Sequence, residues 1–192
     1  MIQVNGTVYR LSAFMLLISC AVAQEPGVSF EADSVSLDLR GTGNIFTGLT
    51  VTDGSITINA AEGESTGDNR DFWELRAGLR VAIDTATLTA DSGTLRFADG
   101  KFTEIKLLGD PVTLEGLVGS EKRQFRLAAG RIEYDGTRRV LRVSEGAVFV
   151  SDGLEVRNCS WTYDLSERSV EATAETTGRC VATVATSRTS VE

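Results

Sequence analysis

From Val28 onward, apolar and polar positions alternate along most of the chain. Leu79, Val81 and Ile83 alternate with Arg80, Ala82 and Asp84, and Ala86, Leu88 and Ala90 alternate with Thr85, Thr87 and Thr89. The same pattern runs through Leu95/Phe97, Ile105/Leu107, Val112/Leu114, Phe125/Leu127, Ile132/Tyr134, Leu141/Val143 and Leu154/Val156. A period of two places successive side chains on opposite faces and predicts half-buried strands. The many Thr and Val residues suit a pleated surface. No later stretch carries a 3.6-residue apolar stripe.

Turn signals separate these runs: Asp53-Gly54, Ser92-Gly93, Asp99-Gly100, Gly109-Asp110-Pro111, Asp135-Gly136, Glu145-Gly146 and Asp152-Gly153. Asp-Gly between alternating runs marks a hairpin, because the turn needs positive φ. Gly63 to Arg76 alternates least and reads as a loop with one short strand near Trp73. The pattern predicts an all-β chain of short antiparallel strands, a sandwich, barrel or jelly roll. A weak repeat of glycine, strand, turn and strand starts at Gly48, Gly78 and Gly146. Hairpin units that cannot bury a face alone must stack, so a long rolled sheet is expected.

The first 23 residues differ in kind. After Arg10, the only charge before Ala23, comes the apolar run Leu11-Ser12-Ala13-Phe14-Met15-Leu16-Leu17-Ile18. It ends in Ala21-Val22-Ala23, a small-x-small cleavage site, before Gln24-Glu25-Pro26. This is the layout of a secretory signal peptide. Leu17-Ile18-Ser19-Cys20 also resembles a lipobox, which would make Cys20 a lipidated N-terminus, and an uncleaved anchor is a further alternative. The expected division is a signal peptide over 1–23, a β domain over 24–174 and a C-terminal strand or tail over 175–192. An exported chain meets an oxidising compartment, where Cys159 and Cys180 are expected to pair. Two free thiols or a redox pair are the alternatives.

Composition narrows the function. The chain has 192 residues, with 27 acidic and 19 basic side chains and no histidine. Without histidine there is no Ser-His-Asp triad, Cys-His pair or His-ligated zinc. A formal charge of -8, or -9 once Arg10 leaves with the signal, argues against nucleic acid as a partner. Carboxylates are plentiful, but Asp53, Asp99, Asp110, Asp135 and Asp152 sit in turns, where Asp is expected for backbone reasons. No phosphate loop, nucleophile elbow or dinucleotide fingerprint is present. An enzyme is not expected, and no cofactor or metal is implied.

The apolar faces carry the remaining signal. Val28, Phe30, Leu49, Val51, Ile56, Ile58, Leu79, Val81, Leu88, Leu95, Phe97, Leu114, Ile132, Tyr134, Phe149, Leu154, Val156 and Trp161 would line the inside of a rolled sheet. They form either a closed, dry core or an aliphatic slot. An acyl chain in such a slot gains about 0.8 kcal/mol per buried CH₂.

The chain resembles the LptA/OstA-like family of lipopolysaccharide-transport proteins. The residues that carry the resemblance are Val28-Ser29-Phe30-Glu31-Ala32-Asp33, Ser36-Leu37-Asp38, Phe46-Thr47-Gly48, Leu49 to Gly54 and Ile56 to Ala60. Gly109-Asp110-Pro111-Val112-Thr113-Leu114, Ala129, Ile132 to Asp135, Gly146 to Val156 and Trp161 to Asp164 continue it. The resemblance implies an OstA-like antiparallel β-jelly roll, open along one side, that holds the acyl chains of lipopolysaccharide in its apolar interior. It implies a periplasmic carrier that serves outer-membrane biogenesis in Gram-negative bacteria. Such a carrier pairs end to end with itself and with other jelly-roll components, through strands near Val28 and Ala172, to bridge the inner and outer membranes. Val28, Phe30 and Leu114 match the family's lipid contacts. Two features depart from the pattern: the Gly63 to Asp110 region is longer than in the best-known member, and the Cys159/Cys180 pair is not a hallmark.

Between Lys122 and Arg142, seven cations stand against Glu133 and Asp135. Within this run, Arg126 and Arg131 are candidates for contact with lipid A phosphates, where Arg binds bidentately. The other reading is a solvated outer strand face. Alternation sets both residues opposite the apolar face.

Overall fold

The computed structural model describes residues 27–37, 43–65, 71–174 and 179–184. The expected signal peptide and Cys20 lie outside them. The described chain is all strand and turn, and its strands join one antiparallel sheet.

The sheet is a stack of bent rungs. The first rung is β1 (Ser29–Glu31) followed by β2 (Ser34–Leu37). Six long strands follow: β3 (Asn44–Asp53), β4 (Ile56–Ser65), β5 (Phe72–Ile83), β6 (Ala86–Ala98), β7 (Lys101–Val118) and β8 (Arg123–Asp135). The last rungs are split into β9 (Val140–Ser144) with β10 (Val148–Ser151), β11 (Leu154–Arg157) with β12 (Cys159–Asp164), and β13 (Ser169–Ala174) with β14 (Val181–Val184). The C-terminal segment set apart by the sequence therefore supplies half of the final rung. Each rung bends in its middle, which folds the sheet into two leaves. The first leaf runs from β1 through one half of β3 to β8, then β10, β11 and β14. The second runs from β2 through the other halves, then β9, β12 and β13.

The bends have local causes. Register shifts interrupt the ladders at Asn59/Glu62, Arg76/Leu79, Thr89/Ser92 and Leu108/Val112. A bulge adds a residue to one strand and sharpens its bend. In β3 the bend is at Gly48, whose φ is +60°, and an added Cβ would lie 2.1 Å from an Asp33 carboxylate oxygen. β5 bends at Ala77 and Gly78, both with positive φ.

Gly63 to Arg76 differs from its expected loop. Its first residues finish β4, and Phe72 to Arg76 begin β5, with Gly63 opposite Leu75 and Ser65 opposite Trp73. The alternation is present but hidden, because Gly63, Ser65 and Trp73 take inward positions that aliphatic residues usually fill.

Candidate functional site

The two leaves face each other across one apolar interior. The first leaf contributes Leu49, Val51, Ile56, Ile58, Leu79, Val81, Leu88, Leu114 and Phe149, all buried, and the second contributes Leu95, Ile132, Tyr134 and Trp161, also buried. Val28, Phe97, Leu154 and Val156 are half-buried, and Phe30 is 42% exposed at the edge. The sequence-derived lining residues thus share one interior. Leu75, Ile83, Ile105, Leu107, Val112, Leu127, Leu141, Val143 and Tyr163 are buried with them. They lie in the same alternating runs, so the signal for them was in the sequence.

The interior is not uniform along its length. Near the first rung, Phe30 stacks on Trp73 with ring centroids 4.9 Å apart, and Phe46, Phe97 and Phe102 complete the group. Near the last rungs, Phe149 stacks on Trp161 at 4.7 Å and meets Phe125, which meets Tyr163 edge-on at 5.0 Å. Between them the lining is aliphatic, with Val51, Ile58, Val81, Leu88 and Leu114 at 0% exposure. The final rung carries valines at its two ends, Val170 opposite Tyr163 and Val184 opposite Leu154, and small side chains further in: Ala172 lies opposite Trp161, Ala174 opposite Cys159 and Ala182 opposite Val156. Directly opposed residues share a face, so these small, exposed side chains belong to the inner wall.

Among the described residues, no strand ladder joins the leaves along their free side. Their turns nevertheless meet there. The Phe102 N–H donates to the Asp53 carboxylate at 2.9 Å, the Gly119 N–H to the Arg168 carbonyl at 3.0 Å, and the Tyr163 hydroxyl to the Leu117 carbonyl at 2.9 Å. The Arg139 guanidinium donates to the Asp84 carboxylate. A pocket of about 650 Å³ opens on this seam beside Asp84, Arg139 and Arg168. Behind the seam, burial pushes the phenols of Tyr134 and Tyr163 above their ordinary pKa.

The basic run is spread over the outer face and the turns. Arg126 lies 3.9 Å from Glu115, and Arg131 forks onto Glu133, whose carboxylate raises its pKa. Arg123 faces Asp152, Arg142 faces Asp135, and Arg139 alone in this run reaches across the seam. The structure places neither Arg126 nor Arg131 beside the interior.

Cys159 and Cys180 form a disulfide with Cα atoms 5.2 Å apart. It links the start of β12 to the residue before β14, so it fastens the final rung to the one before it.

Compared by sequence, no family model and no curated protein matches the chain. Among solved structures it is similar to LptH, described as the LptA homologous periplasmic component of the conserved lipopolysaccharide transport device from Pseudomonas aeruginosa. The two share 17% identity over 84% of this chain and 97% of that one, with a TM-score of 0.48. At that level the likeness carries no residue's role across.

Proposed function

We propose that the protein is a periplasmic carrier of lipopolysaccharide that takes acyl chains between its leaves and bridges inner and outer membranes by end-to-end strand pairing. The observation that carries this reading is the apolar interior, aliphatic in its middle, between two leaves that strands join on only one side among the described residues. Chains inserted there would be bound by burial alone, which needs no polar chemistry. The terminal rungs support the bridging half of the proposal. Among the described residues, β1 and β2 at one end, and β13 and β14 at the other, each pair with a strand on one side only. Unpaired strand edges of this kind recruit further strands. The sequence resemblance points the same way.

A second reading is favoured by the seam. The turn-to-turn hydrogen bonds and the fully buried aliphatic lining also suit a closed structural roll that recruits partners through its edges and holds no lipid.

The test is to express the chain with its own N-terminus in a Gram-negative host, purify the periplasmic form and record its native mass. A lipopolysaccharide adduct is expected. It should be lost in Ala172→Trp and Ala182→Phe, which fill the inner wall of the last rung without opening a core cavity. A bare polypeptide mass after incubation with excess lipopolysaccharide would overturn the carrier reading in favour of the structural one.

A further inference from the structure

We infer that Trp161 is a specificity-determining contact inside the bore, where its indole N–H donates a hydrogen bond to an uncharged oxygen on an acyl guest. That oxygen is an ester or amide carbonyl at the root of the chain, or a hydroxyl on it. The inference rests on the reading of the interior as an acyl-chain site.

Among the described residues, Trp161 Nε1 is the one buried side-chain nitrogen or oxygen without a hydrogen-bond partner. The side chain as a whole is only 7% exposed. An indole N–H can only donate, and a buried donor left unpaired is costly. Such groups are rare enough in folded proteins to need a reason. The neighbouring polar group shows the ordinary solution, since the Tyr163 hydroxyl finds the Leu117 carbonyl. A closed core would be served better by phenylalanine at position 161, which keeps the stack on Phe149 and carries no orphan donor.

The surroundings also speak against a resident water. Trp161 is stacked on Phe149 and lies between Val143 and Ala172 in its ladders. A buried water needs two to four polar partners, and these side chains offer none. A guest that brings its own acceptor on an apolar chain meets both conditions at once. The position fits as well, because Trp161 lies one strand inside the small-residue wall of the last rung. A chain inserted at that end would carry its root oxygen past Ala172 to the indole.

The experiment compares hexadecane with methyl palmitate and hexadecanol, which add an ester and a hydroxyl to a chain of the same length. Wild type and Trp161→Phe are titrated with each, and near-ultraviolet circular dichroism checks that the variant is folded. The expected result is about a fivefold loss of affinity for an oxygen-bearing probe in the variant, with hexadecane unchanged. Which probe responds separates a carbonyl from a hydroxyl as the acceptor. Equal changes for all three probes, or none, would overturn the assignment while leaving the bore an acyl site. Failure of every probe to bind wild type would overturn both. A second measurement needs no variant: in ¹⁵N-labelled wild type, the Trp161 indole proton should move downfield with the oxygen-bearing probe and stay in place with hexadecane. An indole proton that does not respond to either oxygen-bearing probe would also overturn it.

Discussion

Arg139 and Asp84 sit at turns of opposite leaves, each with positive φ, and a hydrogen-bonded ion pair joins them across the free side of the roll. Both side chains are partly exposed, so water and salt screen the pair. It is one of several small fasteners along the seam, with Asp53 to Phe102 on one side of it and Gly119 to Arg168 on the other.

A double-mutant cycle of Asp84→Asn and Arg139→Gln in urea is expected to give a coupling of about 0.2–1 kcal/mol, reduced in 1 M salt. If acyl chains are admitted through the seam, Asp84→Asn should also speed uptake of a fluorescent fatty acid while changing its equilibrium affinity little. Unchanged uptake kinetics in that variant, combined with slow uptake in Ala172→Trp, would place admission at the end of the roll instead.

The disulfide makes a different prediction, because it closes a loop of 21 residues. In the chain-entropy model, removing it with a Cys159→Ala/Cys180→Ala pair costs roughly 3 kcal/mol. Hydrogen exchange should show the loss first in β14, which among the described residues pairs only with β11 and whose residues are all exposed. Exchange that rises evenly through the sheet would show that the bridge stabilises the roll as a whole and not its last rung.

Gly93 offers a test of the packing between rungs. A Cβ there would lie 2.6 Å from the Lys106 carbonyl oxygen, a backbone atom that cannot rotate away. Gly93→Ala is therefore expected to lower stability by about 1–3 kcal/mol, read from the urea midpoint. A neutral result would mean that the ladder between β6 and β7 yields there at little cost.

Tyr134 and Tyr163 should show themselves in alkali. Burial raises both phenol pKa values in the folded state, so the folded protein holds these protons more tightly than the unfolded chain. Their contribution to stability is complete below about pH 10, the unfolded value, and falls as pH rises through the folded values. Phenolate absorbance is expected to appear together with loss of near-ultraviolet dichroism. A smooth phenolate titration centred near pH 10 in the intact fold would contradict the burial.

The strand content and the composition of the interior were legible from the sequence because both follow from local alternation. Leu79, Val81 and Leu88 announce their face through their immediate neighbours. What stayed hidden depends on residues far apart in the chain. Gly63, Ser65 and Trp73, set inward by the ladder between β4 and β5, hide two strand ends inside an apparent loop. Phe30 meets Trp73, and Asp84 meets Arg139, only once the rungs are stacked. The narrowing at Ala172 and Ala182 follows from register, and a polar run with scattered alanines gives no hint of it. For Arg126 and Arg131, alternation did indicate the outer side, where the structure puts them.

The stacked rungs make the length of the bore a stepwise quantity. Each strand added to the sheet lengthens it by about 4.8 Å. A rung meets only its two neighbours, so an insertion need not disturb distant layers. The chain reverses direction at every rung, however. One extra rung would turn the final edge around and interchange the leaves on which the chain finishes, whereas two rungs, a whole hairpin, would restore both. A lineage that needed a deeper container while keeping the same docking edge would therefore grow in steps of about 9.6 Å, twice the strand spacing.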